Sequence, residues 1–333
     1  MRLVVLALVL GGCSRGGHDT PSEPADLQMV SAGNEPRKVL RYRIPKGTAQ
    51  GLEVTVDMNV TAGEMGGPLP TIVMSMLVGV EDVQANGQMK VRTTIIEANA
   101  RERADTKISA AALAGPLEKL KGIAIESTLS PSGRVSKGTV EGAKQLPDEI
   151  AQQLNGLTST LEQVLMPLPN EPVGVGAVWR SSRDIEQNGL KMTSVNTFSL
   201  VGLDGDKLKY TIDTDVHGAD QTVKLGDTSM DVKDITGTGG GDGAFSLTSL
   251  ETSTVLSAEF RSKMMAPGEA APTAMKIVTS TSVAPQGGAP PPPPPSGSAA
   301  GSAAAGSDAI GSAGSAGSAG SAGSAGSASG SAH

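Results

Sequence analysis

From Leu52 to Val60 the chain alternates, with Leu52, Val54, Val56, Met58 and Val60 on one side and Glu53, Thr55, Asp57 and Asn59 on the other. Side chains of a strand point to opposite faces in turn, so this pattern predicts a strand with one wet face. The segments Ile72–Val80, Met89–Ile96, Ile123–Leu129, Met192–Val201, Leu208–Val216, Phe245–Leu250, Thr254–Met264 and Met275–Val283 read likewise. Asn86-Gly87, Ser132-Gly133 and Asp204-Gly205 supply turn signals between several of them. The body is therefore expected to be mainly β (α+β), built of antiparallel strands.

Two segments break the alternation. Ser109 to Lys121 is rich in Ala, Leu, Glu and Lys and predicts a helix, with Gly115-Pro116 as a point where it breaks or starts. A second helix begins near Pro147 and ends before Pro167. It sets Ile150, Leu154, Leu157, Leu161 and Val164 on one face and Asp148 and Glu149 in its first turn. Its opposite face lacks the Lys and Arg of an interfacial helix, so the stripe is expected to pack on the sheet.

A faint internal duplication is visible. Met74 to Ala98 and Thr197 to Val216 both read strand, turn, strand, and Ile123 to Val135 parallels Phe245 to Phe260. The expected organisation is a signal segment at 1–12, a flexible tether at 13–36, a first β-meander at 37–145, an amphipathic helix and linker at 146–172, a second β-meander at 173–285 and a low-complexity tail at 286–333. The tail carries Pro290 to Pro295 and then Gly-Ser-Ala triplets, a composition that cannot bury enough apolar surface to offset chain entropy.

The start of the chain has a different character: Met1, Arg2, an unbroken apolar run from Leu3 to Leu10, then Gly11, Gly12 and Cys13. A basic start, a short apolar stretch and small residues before a cut site are the parts of an export signal. The run is well short of the roughly 20 residues that a spanning helix needs. Leu10, Gly11, Gly12 and Cys13 resemble the bacterial lipobox, which implies that Cys13 is lipidated and becomes the first residue of the mature protein. Cys13 is the one cysteine of 333 residues, so no internal disulfide competes for its sulfur. Two or more acyl chains anchor stably. The expected partner is thus a membrane and the expected place the cell envelope. Ser14, a non-acidic residue after the cysteine, favours the outer membrane over the inner in the lipoproteins this start resembles.

Net charge and composition narrow the function classes. A charge of -7 disfavours nucleic acid, which wants a basic surface. Aromatics make up only 2% of the chain, and Tyr42, Trp179, Phe198, Tyr210, Phe245 and Phe260 fall singly on strand-like segments, which reads as core.

No catalytic, cofactor or metal motif stands out. Of three histidines only His217 lies in the body, at the end of Asp213-x-Asp215-x-His217. On a strand the first and third of these are about 13 Å apart, too far to share an ion, so a solvated sheet surface explains them. The run Gly237-Thr238-Gly239-Gly240-Gly241-Asp242-Gly243 lacks the Lys-Ser/Thr of a phosphate loop and reads as a flexible hairpin or interstrand loop. No Gly-x-Ser-x-Gly is present, so an enzyme is not expected and no cofactor is implied.

Pro172-Val173-Gly174-Val175-Gly176-Ala177-Val178-Trp179, placed after the long helix, resembles a Pro-Val-Gly-x-Gly-x-x-Trp signature of bacterial lipoproteins of unknown function. More distantly, antiparallel meanders backed by helices are similar to the half-barrel of LolA-like and LppX-like lipid carriers. That similarity implies an apolar cavity, with Met58, Ile72, Met74, Met76 and Met89 as a wall that can adapt to acyl chains. The expectation is a non-catalytic envelope lipoprotein that binds a hydrophobic ligand or another envelope protein. The alternative is a structural or surface-interaction lipoprotein with its tail as a spacer, and a hydrolase with dispersed residues is the least favoured class.

Overall fold

The structure, a computed structural model, describes residues 26–63, 65–136, 138–141, 165–187, 189–225, 228–268 and 271–286. The lipobox, the first part of the tether, the helix expected between Pro147 and Pro167 apart from its last residues, and the tail after Gln286 lie outside them.

The described residues form strands β1 (Asp26–Ser31), β2 (Ala49–Ala62), β3 (Met65–Pro68), β4 (Thr71–Val83), β5 (Met89–Arg101), β6 (Ala124–Leu129) and β7 (Thr139–Val140). After these come β8 (Val178–Gln187), β9 (Leu190–Asp204), β10 (Lys207–Gly218), β11 (Gln221–Leu225), β12 (Thr228–Ser246), β13 (Thr252–Met265) and β14 (Thr273–Pro285). One helix, α1 (Ala110–Glu118), lies between β5 and β6. All the strands join one antiparallel sheet in the order β1-β8-β9-β10-β12-β13-β14-β2-β4-β5-β6-β7, with β3 on β2 and β11 on β12. It is mainly β, as the alternation predicts. The sheet is open, because β1 and β7 end it and do not pair.

The two halves meet edge to edge. β14 pairs with β2 over eleven positions, Val283 opposite Val54, so the last strand before the tail closes onto the first long one. Within each half, hairpins turn at the expected places: β4–β5 around Gly87 and β9–β10 around Gly205, both glycines at positive φ. Residues 26–31, inside the stretch read as a tether, form β1 and pair with β8, Leu27 opposite Ser181. Leu27 and Met29 tuck against the core from there.

Strand order and core composition together show that the sheet curls. Met89 and Val91 of β5 share one buried cluster with Phe198 and Leu200 of β9 and Leu208 and Tyr210 of β10. Five strands, β12, β13, β14, β2 and β4, separate β5 from β10 along the sheet. Side chains that far apart in order meet only if the sheet folds over on itself.

β12 departs from its expected form. The run Gly237 to Gly243, expected as a loop, is instead the middle of a 19-residue strand, paired with β10 on one side and β13 on the other. Gly237, Gly239, Gly241 and Gly243 occupy alternate positions, the same face as the buried Phe245. A Cβ on Gly241 would stand 1.9 Å from the Val255 carbonyl oxygen, and one on Gly243 would stand 2.6 Å from the Tyr210 hydroxyl. Glycine in a strand marks close approach or a bend, and here it is close approach. Propensity reads glycine as punctuation, but this strand needs it because neighbouring backbone and Tyr210 occupy the space that side chains would fill.

α1 covers a second cluster. Leu113, Leu117 and Leu120 face Leu52, Val54, Met74, Met76 and Ile95. The helix runs through Gly115-Pro116 without ending. Its N-cap, Ser109, makes no side-chain capping bond; the Ala110 N–H donates instead to the Glu102 carboxylate at 2.7 Å, placing negative charge at the positive helix end. A third cluster joins Leu190, Met192, Val223, Val232, Ile235, Met264 and Met275 around β9 to β14.

Candidate functional site

The strap of chain from Lys38 to Ile44 runs between the two flanks of the curled sheet. Lys38 exchanges backbone bonds with Val173, Tyr42 N–H donates to the Pro131 carbonyl at 2.8 Å, and Arg43 N–H donates to the Leu247 carbonyl at 2.7 Å. Leu40, Tyr42 and Ile44 are buried at alternate positions while Arg43 between them is exposed. This period-two signal is present in the sequence, flanked by basic residues, and is the clue that would have found the strap.

Tyr42 begins a run of ring contacts. It stacks on Phe245 with ring centres 5.3 Å apart; Phe245 meets Tyr210 edge-on at 5.7 Å, Tyr210 meets Phe198 at 6.5 Å, and Phe198 stacks on Trp179 at 6.0 Å. Five aromatics that stand singly in the sequence thus form one ladder through the core, spacings that favour offset and edge-on ring pairs. Each polar tip is satisfied: Trp179 Nε1 donates to the Pro167 carbonyl at 2.9 Å, the Tyr42 hydroxyl to the Met166 carbonyl at 3.3 Å, and Tyr210 bonds Thr254 at 3.1 Å. Burial drives the Tyr42 hydroxyl well above its ordinary pKa, with Tyr210 adding to the rise and the bond to Met166 opposing it. Burial also raises Tyr210.

At the Tyr42 end of this ladder the flanks do not fully meet, and a cleft remains. Its apolar wall comes from Ile44, Leu52, Val78, Val91, Ile125 and Leu129. Tyr42 and Phe245 close its floor, and the turn between β12 and β13 supplies Ser246, Ser249, Glu251 and Thr252. Its volume is about 90 Å³. Glu251 is the charged group among the described lining residues, and its carboxylate pairs with Lys207 Nζ at 3.2 Å.

The residues expected to form a methionine wall lie elsewhere in the core. Met74 and Met76 are buried under α1 with Ile72 beside them. Met89 is buried in the first cluster, and Met58, on β2, is half-buried. None of the five lines the cleft, although Leu52 and Val78 on the same strands do.

Asp213, Asp215 and His217 are exposed on β10, with Lys209 on the same face. Among the described residues no three His, Cys, Asp or Glu side chains are placed to hold a metal ion. The backbone of Gly237 to Gly243 is committed to two ladders, so it offers no phosphate cradle. Among the described residues no helix is long and apolar enough to cross a membrane.

The Pro172 to Trp179 signature has a structural meaning. Val173, Ala177 and Trp179 are fully buried. Gly174 N–H donates to the Ala32 carbonyl at 3.0 Å, and Asn34 N–H to the Val175 carbonyl at 2.9 Å. Gly176 adopts φ +86°, turning the chain into β8. The signature is a clasp that holds residues 32–36 against the start of β8. Curated proteins give no match to this chain. Residues 143–248, which contain the clasp and β8 to β12, match the model of a family of unknown function, DUF6263.

Proposed function

We propose that this chain is a non-catalytic lipoprotein of the cell envelope, anchored through lipidated Cys13, whose curled sheet acts as a half-barrel holding a hydrophobic ligand. The observation that carries the ligand reading is the cleft where the two flanks of the sheet fail to meet. It is walled by Ile44, Leu52, Val78, Val91, Ile125 and Leu129, from the strap and the adjacent strands β2, β4, β5 and β6, with the β12–β13 turn across from them. Most apolar positions of a domain are filled by partners, and ligand sites are concave, mostly apolar and edged by a few polar groups. The aromatic ladder and the Thr254 bond to Tyr210 give the cleft a rigid floor.

The anchoring reading rests on Leu10, Gly11, Gly12 and Cys13. Cys13→Ser should yield an unprocessed or soluble chain; the same mature mass and membrane fraction as the natural chain would overturn it. For the ligand, native mass spectrometry of the full chain isolated from its membrane should find a bound apolar molecule, and Ile125→Trp, which fills the cleft, should lose it. A natural chain that carries nothing apolar across several preparations, and takes up none when offered, would defeat the ligand reading.

A further inference from the structure

Among the described asparagines, Asn86 is the one that a glycine follows. The pair sits at the tip of the β4–β5 hairpin. Gln84 N–H donates to the Gln88 carbonyl at 2.8 Å and Gly87 N–H to the Gln84 carbonyl at 2.9 Å. These bonds close a three-residue loop, Ala85-Asn86-Gly87, with Gly87 at φ +82°. Residues 81–86 are all exposed.

The loop prepares the Asn86 side chain for attack. Gln88 N–H donates to Asn86 Oδ1 at 3.0 Å, which turns the carboxamide back over the chain that follows it and polarises its carbonyl. A donor so placed also stabilises negative charge that develops on the oxygen. Gly87 has no Cβ to shield its nitrogen from Asn86 Cγ. Its own bond to Gln84 must open for that nitrogen to attack, and at an exposed loop tip such opening is local and leaves the sheet folded.

We propose that Asn86 is a site of spontaneous modification, converting through a cyclic imide to isoaspartate and aspartate. The Gly87 nitrogen gives its proton to water and attacks Asn86 Cγ; the N–Cγ bond forms, the Cγ–Nδ2 bond breaks, and the amide nitrogen leaves as ammonia with a proton taken from water. Water then opens the imide. Attack at Cγ breaks the new bond and yields aspartate. Attack at the main-chain carbonyl carbon breaks the original bond to Gly87 and yields isoaspartate, whose main chain runs through Cβ and Cγ.

The isoaspartate product lengthens the backbone by one carbon inside a loop whose closure sets the register. Val83 pairs with Met89 directly beside this loop, and Met89 is buried in the first cluster with Tyr42 and Val91. A longer loop therefore pulls on a core residue. The new carboxylate is the smaller perturbation: it joins Glu81 and Asp82, which pair with Lys90 at 3.2 Å and Lys46 at 2.9 Å, and exposed charges interact weakly.

The test is peptide mapping by mass spectrometry of the full chain aged in mildly alkaline buffer, with electron-based fragmentation to separate isoaspartate from aspartate. Asn155-Gly156 and Asn188-Gly189 are read in the same spectra, so conversion is assigned position by position. The native chain should convert at residue 86, with isoaspartate in excess of aspartate, and Asn86→Gln should lose the change at that position. Chain carrying isoaspartate should unfold at lower denaturant concentration than Asn86→Asp, which has the charge without the longer backbone. No conversion at residue 86 in the native chain, under conditions where the denatured chain converts there, would overturn the assignment. Equal unfolding midpoints for the isoaspartate chain and Asn86→Asp would overturn the link to the β4–β5 register.

Discussion

Gly33 and Gly174 press backbone against backbone: a Cβ on Gly33 would stand 2.4 Å from the Gly174 carbonyl oxygen, and one on Gly174 would stand 1.9 Å from that of Asn34. No rotamer relieves such a contact, because backbone atoms form both sides of it. Gly33 also sits at φ +73°, a conformation that costs other residues extra. Gly174→Ala and Gly33→Ala should each destabilise the chain by about 2–4 kcal/mol in denaturant unfolding, since either must spread the clasp and the strap behind it. A loss below the error of the measurement at both sites would mean that the clasp is not needed for folding.

Trp179, the single tryptophan, reports on the same region. It is fully buried, stacks on Phe198 and donates to the Pro167 carbonyl. Its emission should be blue-shifted and resist aqueous quenchers until global unfolding. Trp179→Phe removes ring volume and leaves that carbonyl without its donor, a combined loss of about 2–4 kcal/mol by chemical denaturation. Emission at the wavelength of exposed tryptophan in the native state would contradict this placement.

How much of this was legible in the sequence depends on the range of the interactions involved. β2, β4, β5, β9, β10, β13 and β14 follow from alternation, because each buries one face by itself. β8 escapes the pattern because its buried face carries Ser181 beside Trp179. β1 escapes because Asp26–Ser31 is a short edge strand, half of it polar, inside a spacer-like composition. The 247–250 segment, expected as a continuing strand, bends instead into the turn that edges the cleft. The cleft itself could not be read: one wall lies on the adjacent strands β2, β4, β5 and β6, but its opposite edge, the β12–β13 turn, reaches them only when the sheet folds over. Methionine content pointed to an adaptable wall at Met74, Met76 and Met89, whereas the cleft is lined by branched aliphatics and hydroxyls.

The glycines of β12 give a prediction with an internal control. Gly241→Ala places a methyl group 1.9 Å from the Val255 carbonyl oxygen, and Gly243→Ala places one 2.6 Å from the Tyr210 hydroxyl and 2.8 Å from Thr254 Oγ1. Gly240, the next residue, has its nearest contact at 3.2 Å, the Ile212 carbonyl oxygen. Gly241→Ala and Gly243→Ala should cost about 2–4 kcal/mol, and Gly240→Ala should stay within about 1 kcal/mol of the natural chain. Equal effects at Gly240 and Gly241 would show that chain entropy, rather than the close approach of β13, governs this strand.

The last prediction concerns alkaline pH. Tyr42 and Tyr210 are the only tyrosines in the chain, and burial raises both above the ordinary value of about 10. Loss of the proton creates the charge, so a raised pKa means that the folded state holds the neutral phenol. The stability linked to them is fully present below pH ~10 and is lost as the pH climbs from there through the folded-state values. The native chain should therefore show less tyrosinate absorbance at pH ~10.5 than the denatured chain, which is largely ionised there. Ionisation and unfolding should then arrive together as one cooperative step, because a phenolate left in the buried core would bear the desolvation that raises both groups. Tyr42→Phe should shift that step to higher pH by removing the larger penalty, although it also leaves the Met166 carbonyl without its donor. Reversible ionisation of both tyrosines near pH 10 with native circular dichroism would show that the aromatic ladder is open to water.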